Sequence, residues 1–203
     1  EPKGVMLTHA NIVANLRGVQ RVLALARVHL GLEVSYFSRF EDGMQVFEDV
    51  SGDSDPFYIA PGLRTPLEVT YCSKVLGGEI PNIIPATRAD PRTSDLPGTQ
   101  LTGIGAYAGV PVMLPGGEVY GMLCCIGSEA HNEIDAGDVR FMRVLADLLS
   151  EEVLRRRPLD DERAAISARI DHAISGGGLR MVYQPSVRLD SLEALLPPVP
   201  AFG

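Results

Sequence analysis

At 203 residues, with 45% hydrophobic and 22% charged side chains, the chain can bury roughly 70% of its extended surface around one core, so it needs no metal or disulfide staples and has no room for two large domains. The formal net charge of -8 comes with scattered arginines, which excludes a phosphate-tracking surface for nucleic acid or an anionic membrane. Cys72, Cys124 and Cys125 lack the spacing of a zinc site or a disulfide framework, and no run reaches the about 18 apolar residues of a membrane span, so a reducing cytoplasm is the expected compartment. The opening Glu1-Pro2-Lys3-Gly4 has no secretory leader and reads as the start of a fragment.

Ile12, Leu16, Val19, Leu23, Ala26 and Leu30 recur four and three residues apart and predict a first helix, capped by Thr8 and stopped by Gly31. The period then falls to two: Val34, Tyr36, Ser38 and Phe40 alternate with Ser35, Phe37 and Arg39, and Asp42-Gly43 turns the chain into a second strand over 44–50. Thr65-Pro66-Leu67-Glu68 has the form of a capping box with proline at the first helical position, which predicts a helix over 66–76 ended by Gly77-Gly78. A short apolar run over 80–84 leads into residues 85–103, rich in Pro, Asp, Thr and Gly, a stretch long enough to cover a pocket or to be partly helical.

Strands over 104–114 and 119–128 are joined by Pro115-Gly116-Gly117-Glu118, whose glycines allow the backbone angles of a tight hairpin. Asp135 is the expected cap of a helix lined by Val139, Met142, Leu145, Leu149 and Val153 and closed by Arg155, Arg156 and Arg157, cations suited to a helix C-terminus. Pro158 marks a boundary. A shorter helix over 160–175, with Ile166, Ile170 and Ile174 four apart, precedes Gly176-Gly177-Gly178 and a strand over 179–183. The Pro-rich residues 196–203 are expected to be disordered.

Within this order, Leu32-Glu33-Val34-Ser35-Tyr36-Phe37, Tyr71-Cys72 followed by Pro81-Asn82-Ile83-Ile84-Pro85, Ala89-Asp90-Pro91-Arg92, Gly105-Ala106-Tyr107-Ala108-Gly109-Val110-Pro111 and Tyr120-Gly121-Met122-Leu123-Cys124-Cys125 resemble the GAF domains of bacterial sensory proteins. The resemblance covers 21–157. It implies an α+β fold, an antiparallel sheet flanked by helices with the first and last helices packed together, and a pocket between the sheet and residues 66–103. The pocket residues it suggests are Tyr36, Tyr71, Cys72, Arg88, Asp90, Tyr107 and Cys124. The Asn-Lys-Phe-Asp-Glu motif of cyclic-nucleotide-binding members and the chromophore-attachment region of phytochromes are not found, so the ligand and any cofactor are left unassigned.

Two shorter resemblances flank this region. Leu179-Arg180-Met181-Val182-Tyr183-Gln184-Pro185-Ser186-Val187, followed by Glu193-Ala194-Leu195, is similar to the opening of EAL-type cyclic di-GMP phosphodiesterases, which makes 179–203 a truncated domain start and 158–178 a linker helix. The family's Glu ligates a metal that activates water, but the remaining acidic ligands and the base would lie beyond Gly203, so no phosphodiesterase activity is expected here. Residues 1–13, Glu1-Pro2-Lys3-Gly4-Val5-Met6-Leu7-Thr8-His9-Ala10-Asn11-Ile12-Val13, resemble the phosphate-loop end of adenylate-forming ligases, and 1–20 are read as a remnant of one joined to the first helix.

Plainer readings accompany these. Cys72 is either a ligand contact or reactive thiol, or ordinary packing, and Cys124 and Cys125, on opposite sides of one strand, fit a core better than a chelate. Arg88, Asp90 and Arg92 either receive an anionic ligand or pair with one another. The four histidines make no metal-ligand pattern. The reading that results is a cytoplasmic, non-enzymatic sensor of an unknown small molecule, a homodimer through its terminal helices, with neither nucleic acid nor membrane as partner and a lost output linked to cyclic di-GMP. A degenerate phosphodiesterase using Gln184 and Glu193, and a dimerisation scaffold with an unused pocket, are the alternatives.

Overall fold

In the computed structural model, which describes residues 9–175, the first apolar stripe winds into α1, His9–Leu30, and buries Val19, Leu23, Ala26 and Leu30. The helix ends as expected at Gly31, whose φ of +63° is a left-handed turn open to glycine at little cost. The predicted cap at Thr8 lies outside the described residues. β1 (Val34–Glu41) and β2 (Met44–Gly52) form the predicted hairpin, and Asp42 and Gly43 both take positive φ, +52° and +73°, as a type I′ turn requires.

This hairpin carries an irregularity that a period of two does not show. Phe37 pairs with Asp49 and Ser38 with Phe47, so Glu48 is the extra residue of a β-bulge. Cross-strand partners share a face, which places Gln45, Phe47 and Val50 with Phe40, Ser38 and Tyr36 and sends Asp49 to the other side with Phe37.

The helix predicted over 66–76 starts later. Arg64–Pro66 is instead an edge strand, β3, paired with β2, and the Leu67 amide extends the pairing by donating to the Gly43 carbonyl at 2.9 Å. An open strand edge competes successfully with the capping box, and proline, with no amide to offer a ladder, suits an edge. After a 3₁₀ turn at Leu67–Val69, α2 covers Tyr71–Leu76, and the cap is Thr70, whose hydroxyl accepts from the Ser73 amide at 3.3 Å. Of the apolar run over 80–84 only Ile83–Ile84 pairs as a strand, β4: the Ile80 amide still bonds Lys74 O in the turn leaving α2, and Pro81 has no amide to pair.

Residues 85–103 run in turns with one short helix, α3 (Pro97–Gln100), before β5 (Ala106–Met113) and β6 (Val119–Gly127), which form the second predicted hairpin. Gly116 and Gly117, at φ +90° and +85°, make its turn. Asp135 caps the next helix by accepting the Gly137 amide at 2.5 Å, and α4 covers Ala136–Ser175. The three arginines and Pro158 do not end this helix. Leu159, Glu162, Arg163 and Ala164 are good helix formers, so the proline removes one ladder bond without supplying a competing structure. The chain nevertheless divides into two units at that place, Glu1–Arg157 and Pro158–Gly203. In the second unit the described residues are helical, with Ile166 and Ile170 exposed. The ligase-like residues 1–8 and the EAL-like residues 179–203 lie outside the described residues.

The first unit is an α+β fold around one antiparallel sheet of order β3-β2-β1-β6-β5-β4. Its two faces are both buried. On one, Phe37, Ala108, Val110, Leu123 and Cys125 pack beneath α1 and α4, through Leu23, Ala26, Met142, Leu145 and Leu149. The two helices meet at His29, whose ring lies 3.9 Å from that of Phe141 and 3.1 Å from the Asp138 carboxylate. On the other face, Tyr36, Phe47, Tyr107, Met122 and Cys124 are covered by the irregular chain between β2 and β5. No helix among the described residues is long and apolar enough to cross a membrane.

Candidate functional site

The covering chain does not close fully on the sheet. Between them lies a cavity of about 160 Å³ floored by Tyr36, Gln45 and Phe47 and walled by Phe57, Ile59, Tyr71 and Ile104. Its rim carries Tyr58, Leu63 and Leu101, three exposed apolar side chains, and no charged residue lines it. Tyr36 and Phe47 meet edge to face at 4.9 Å, so the floor is aromatic and fixed.

Three buried threonines six residues apart hold the roof in place. Thr99 Oγ1 donates to Thr93 O at 2.5 Å, Thr93 Oγ1 to Thr87 O at 2.8 Å, and Thr87 Oγ1 to Ile104 O at 2.6 Å. Each hydroxyl donates to a backbone carbonyl, and the one on Thr93 O joins the Leu96 amide, which donates to the same carbonyl at 3.1 Å, so side-chain bonds hold residues 85–103 in order with little regular structure. The last rung touches the cavity wall, because Thr99 Oγ1 also hydrogen-bonds the Tyr71 hydroxyl.

Tyr71 separates the cavity from a buried polar cluster. Its ring stacks on Tyr107 at 4.6 Å, and the Tyr107 hydroxyl lies 3.5 Å from Cys124 Sγ and 3.8 Å from Cys72 Sγ. The two sulfurs are 3.7 Å apart and unbonded. Burial pushes the phenols of Tyr36, Tyr71 and Tyr107 up, and burial followed by the Cys72 thiol pushes Cys124 well up. Burial also opposes ionisation of Cys72, but hydrogen bonds from Cys124, Tyr107 and Tyr36 outweigh it and hold this thiol below the ordinary cysteine range.

Five of the seven predicted site residues therefore converge. Tyr36 and Tyr71 line the cavity, and Tyr107, Cys72 and Cys124 stand behind Tyr71 in the core. Arg88 and Asp90 are elsewhere. Arg88 is exposed and donates to Gly103 O at 2.8 Å, while Asp90 accepts from Arg92 at 3.0 and 2.6 Å and lines a separate open crevice with Ile84 and Pro85. Hydrogen bonds from Arg92 hold the Asp90 carboxyl below its usual range, the mutual pairing that the sequence left as one alternative.

The sequence reading missed Gln45. Its side chain is 1% exposed, and its Nε2 donates to Ser38 Oγ at 3.1 Å, but its Oε1 has no hydrogen-bond partner. A buried acceptor left unpaired costs about 1–3 kcal/mol, so such an atom calls for an explanation. The available signal was a lone amide two residues before Phe47, on what alternation makes the same side of a strand. Among the described residues no three His, Cys, Asp or Glu side chains come together as metal ligands would.

Comparison with solved structures returns the same architecture. The chain is similar to the GAF domain region of a Geobacter sulfurreducens PCA protein, at 17% identity and a TM-score of 0.56, over 70% of this chain and 94% of that one. Free methionine-R-sulfoxide reductase from Neisseria meningitidis, solved with its substrate, matches at 16% identity and a TM-score of 0.55, covering 73% and 85%. The phycocyanobilin-bound GAF domain of a cyanobacterial phytochrome matches at 14% and 0.54, covering 74% and 98%. No curated protein matches. The profile of the GAF domain matches residues 12–153, and the chain belongs to this family.

Proposed function

We propose that the chain is a sensory module that binds a small molecule in the Tyr36–Tyr71 cavity and passes the event through the sheet to α1 and α4. The observation that carries this reading is the cavity's position. Tyr36 floors it while Phe37, the next residue of β1, packs beneath the terminal helices, so a change in the floor reaches the helix face in one residue. A ligand with different affinity for two arrangements of the roof would shift their populations, and the helices would report the shift. The similar folds that hold phycocyanobilin in a GAF domain and a substrate in free methionine-R-sulfoxide reductase lend support, as does an interior with no charged side chain at the cavity.

Binding without catalysis is part of the proposal: the three thiols are buried in the core, and the charged pair Asp90–Arg92 is absent from the cavity wall. The cytoplasmic site of action, the output linked to cyclic di-GMP and the homodimer also belong to it. For the dimer, Leu25 and Val28 of α1 and Val144 and Leu148 of α4 are exposed although the inner faces of both helices are spent on the sheet. Leu148→Glu is expected to lower the sedimenting mass by half, and a wild-type monomer at tens of micromolar, on the order of ordinary interface affinities, would remove the dimer.

The test of ligand binding is a thermal-shift screen of the full chain against cyclic nucleotides, amino acids, carboxylates and neutral ring compounds. A ligand at about 100 times its dissociation constant adds about 2.7 kcal/mol to stability, a shift that is readily seen. A reproducible shift abolished by Tyr71→Ala supports the sensor. No shift with any compound supports the scaffold alternative.

A further inference from the structure

The cavity's dimensions and the unpartnered acceptor at its floor restrict what it can hold, and this inference rests on the ligand-binding reading above. A volume of about 160 Å³ is close to the roughly 150 Å³ of an apolar cavity that accommodates benzene, and below the roughly 300 Å³ at which ordinary ligand pockets begin. One ring fits. The aromatic sides of Tyr36, Phe47, Phe57 and Tyr71 favour a flat partner, and the exposed Tyr58, Leu63 and Leu101 make an apolar entrance. An ionised ligand would lose its hydration and find no counter-charge, because no charged side chain lines the wall.

Gln45 supplies the remaining constraint. It lies on the floor, is 1% exposed, and donates one of its two amide hydrogens to Ser38, while Oε1 is an acceptor without a donor. We propose that this cavity takes a neutral single-ring aromatic molecule bearing one O–H or N–H, which stacks among Tyr36, Phe47, Phe57 and Tyr71 and donates its hydrogen bond to Gln45 Oε1. Phenol-like and pyrrole-like compounds have this chemistry. Nucleotides, bilins and carboxylates do not.

Calorimetric titration of the full chain with phenol, benzene, pyridine and benzoate tests the assignment. Phenol is expected to bind at least roughly fivefold more tightly than benzene, as a single neutral hydrogen bond allows. Pyridine, which accepts but cannot donate, should bind no better than benzene, and benzoate should not bind. In Gln45→Leu the preference of phenol over benzene should vanish while benzene binding survives. Equal affinity of the wild-type protein for phenol and benzene, or binding of benzoate at the level of phenol, overturns the proposal without any variant. If all four rings fail but a charged metabolite from the screen gives a shift lost in Tyr71→Ala, the ring assignment falls and the sensor stands. If nothing binds at all, both fall.

Discussion

The phenol ring of Tyr107 lies over Gly109, two residues further along the same strand, and a Cβ at Gly109 would stand 2.7 Å from Tyr107 Cζ and closer still to its hydroxyl. Side chains two apart on a strand share a face, so the glycine's missing side chain is the space in which Tyr107 folds over to reach Cys72 and Cys124.

Gly109→Ala should therefore force apart a fully buried ring that is already stacked on Tyr71. The expected loss is about 1–3 kcal/mol, as for other overpacked cores. For a chain of this size each kcal/mol lowers the melting midpoint by roughly 2–4 °C. The overlap is worst at the hydroxyl, so the loss should shrink in a Tyr107→Phe background. An undiminished penalty in that double-mutant cycle would assign the cost to something other than Tyr107.

The threonine series makes a second prediction. Thr93→Val preserves shape but leaves Thr87 O without its hydroxyl donor inside the protein, at an expected cost of about 1–3 kcal/mol. Thr93→Ser, which keeps the donor, should cost clearly less. Hydrogen exchange over 85–103 should accelerate in the valine variant while the amides of β6 keep their protection, and uniform acceleration would show that the series does not act locally.

Much of this architecture was legible in the sequence. Apolar periods located α1, both hairpins and the inner stripe of α4, and the glycines at 31, 43, 116 and 117 marked turns whose positive φ only glycine accepts at little cost. The start of α2 was not legible, because a capping box is a local signal and the edge of β2, which captured Thr65 and Pro66, is a distant one. Pro158 looked like a stop because it breaks the local ladder, while the helix formers after it decide the outcome. The site divided in the same way: aromatic and cysteine positions on strands could be read, whereas Gln45, whose face the hairpin pairing with Phe40 sets, became a site residue only once its Oε1 was seen to be buried without a partner.

The bulge at Glu48 creates a pH-dependent contact. Asp49, turned to the helix side, accepts from Gln20 Nε2 of α1 at 3.1 Å, and burial lifts its carboxyl above the ordinary range, with Gln20 and Arg156 opposing the rise. A carboxyl with a raised folded-state pKa holds its proton more tightly when folded, so this stabilisation is full below the unfolded pKa and lost as pH rises through the folded one. Asp49→Asn never ionises. Its melting midpoint relative to the wild type should therefore rise between about pH 3, below the ordinary Asp value, and about pH 7. A relative midpoint that falls over this window would contradict a raised pKa.

The cysteines give the last prediction. Cys72 lies on the short α2, part of the roof, whereas Cys124 and Cys125 lie on β6, which is paired on both sides by β1 and β5. All three are buried, so an aqueous thiol reagent reaches them only through opening. Two kinds of opening are expected. Cys72 should label through local release of α2 and the roof, with little dependence on urea, and it ionises more easily than its neighbour. Cys124 and Cys125 should label only through global unfolding, with the full urea dependence of the denaturation curve. Burial raises the Cys125 thiol, so even an opened strand must solvate it before thiolate forms. Mass spectrometry of labelled peptides across a urea series separates the two classes. If Cys72 and Cys124 label at one rate with one urea dependence, the roof and the sheet open as a single unit, and a roof that moves independently to admit a ligand is ruled out.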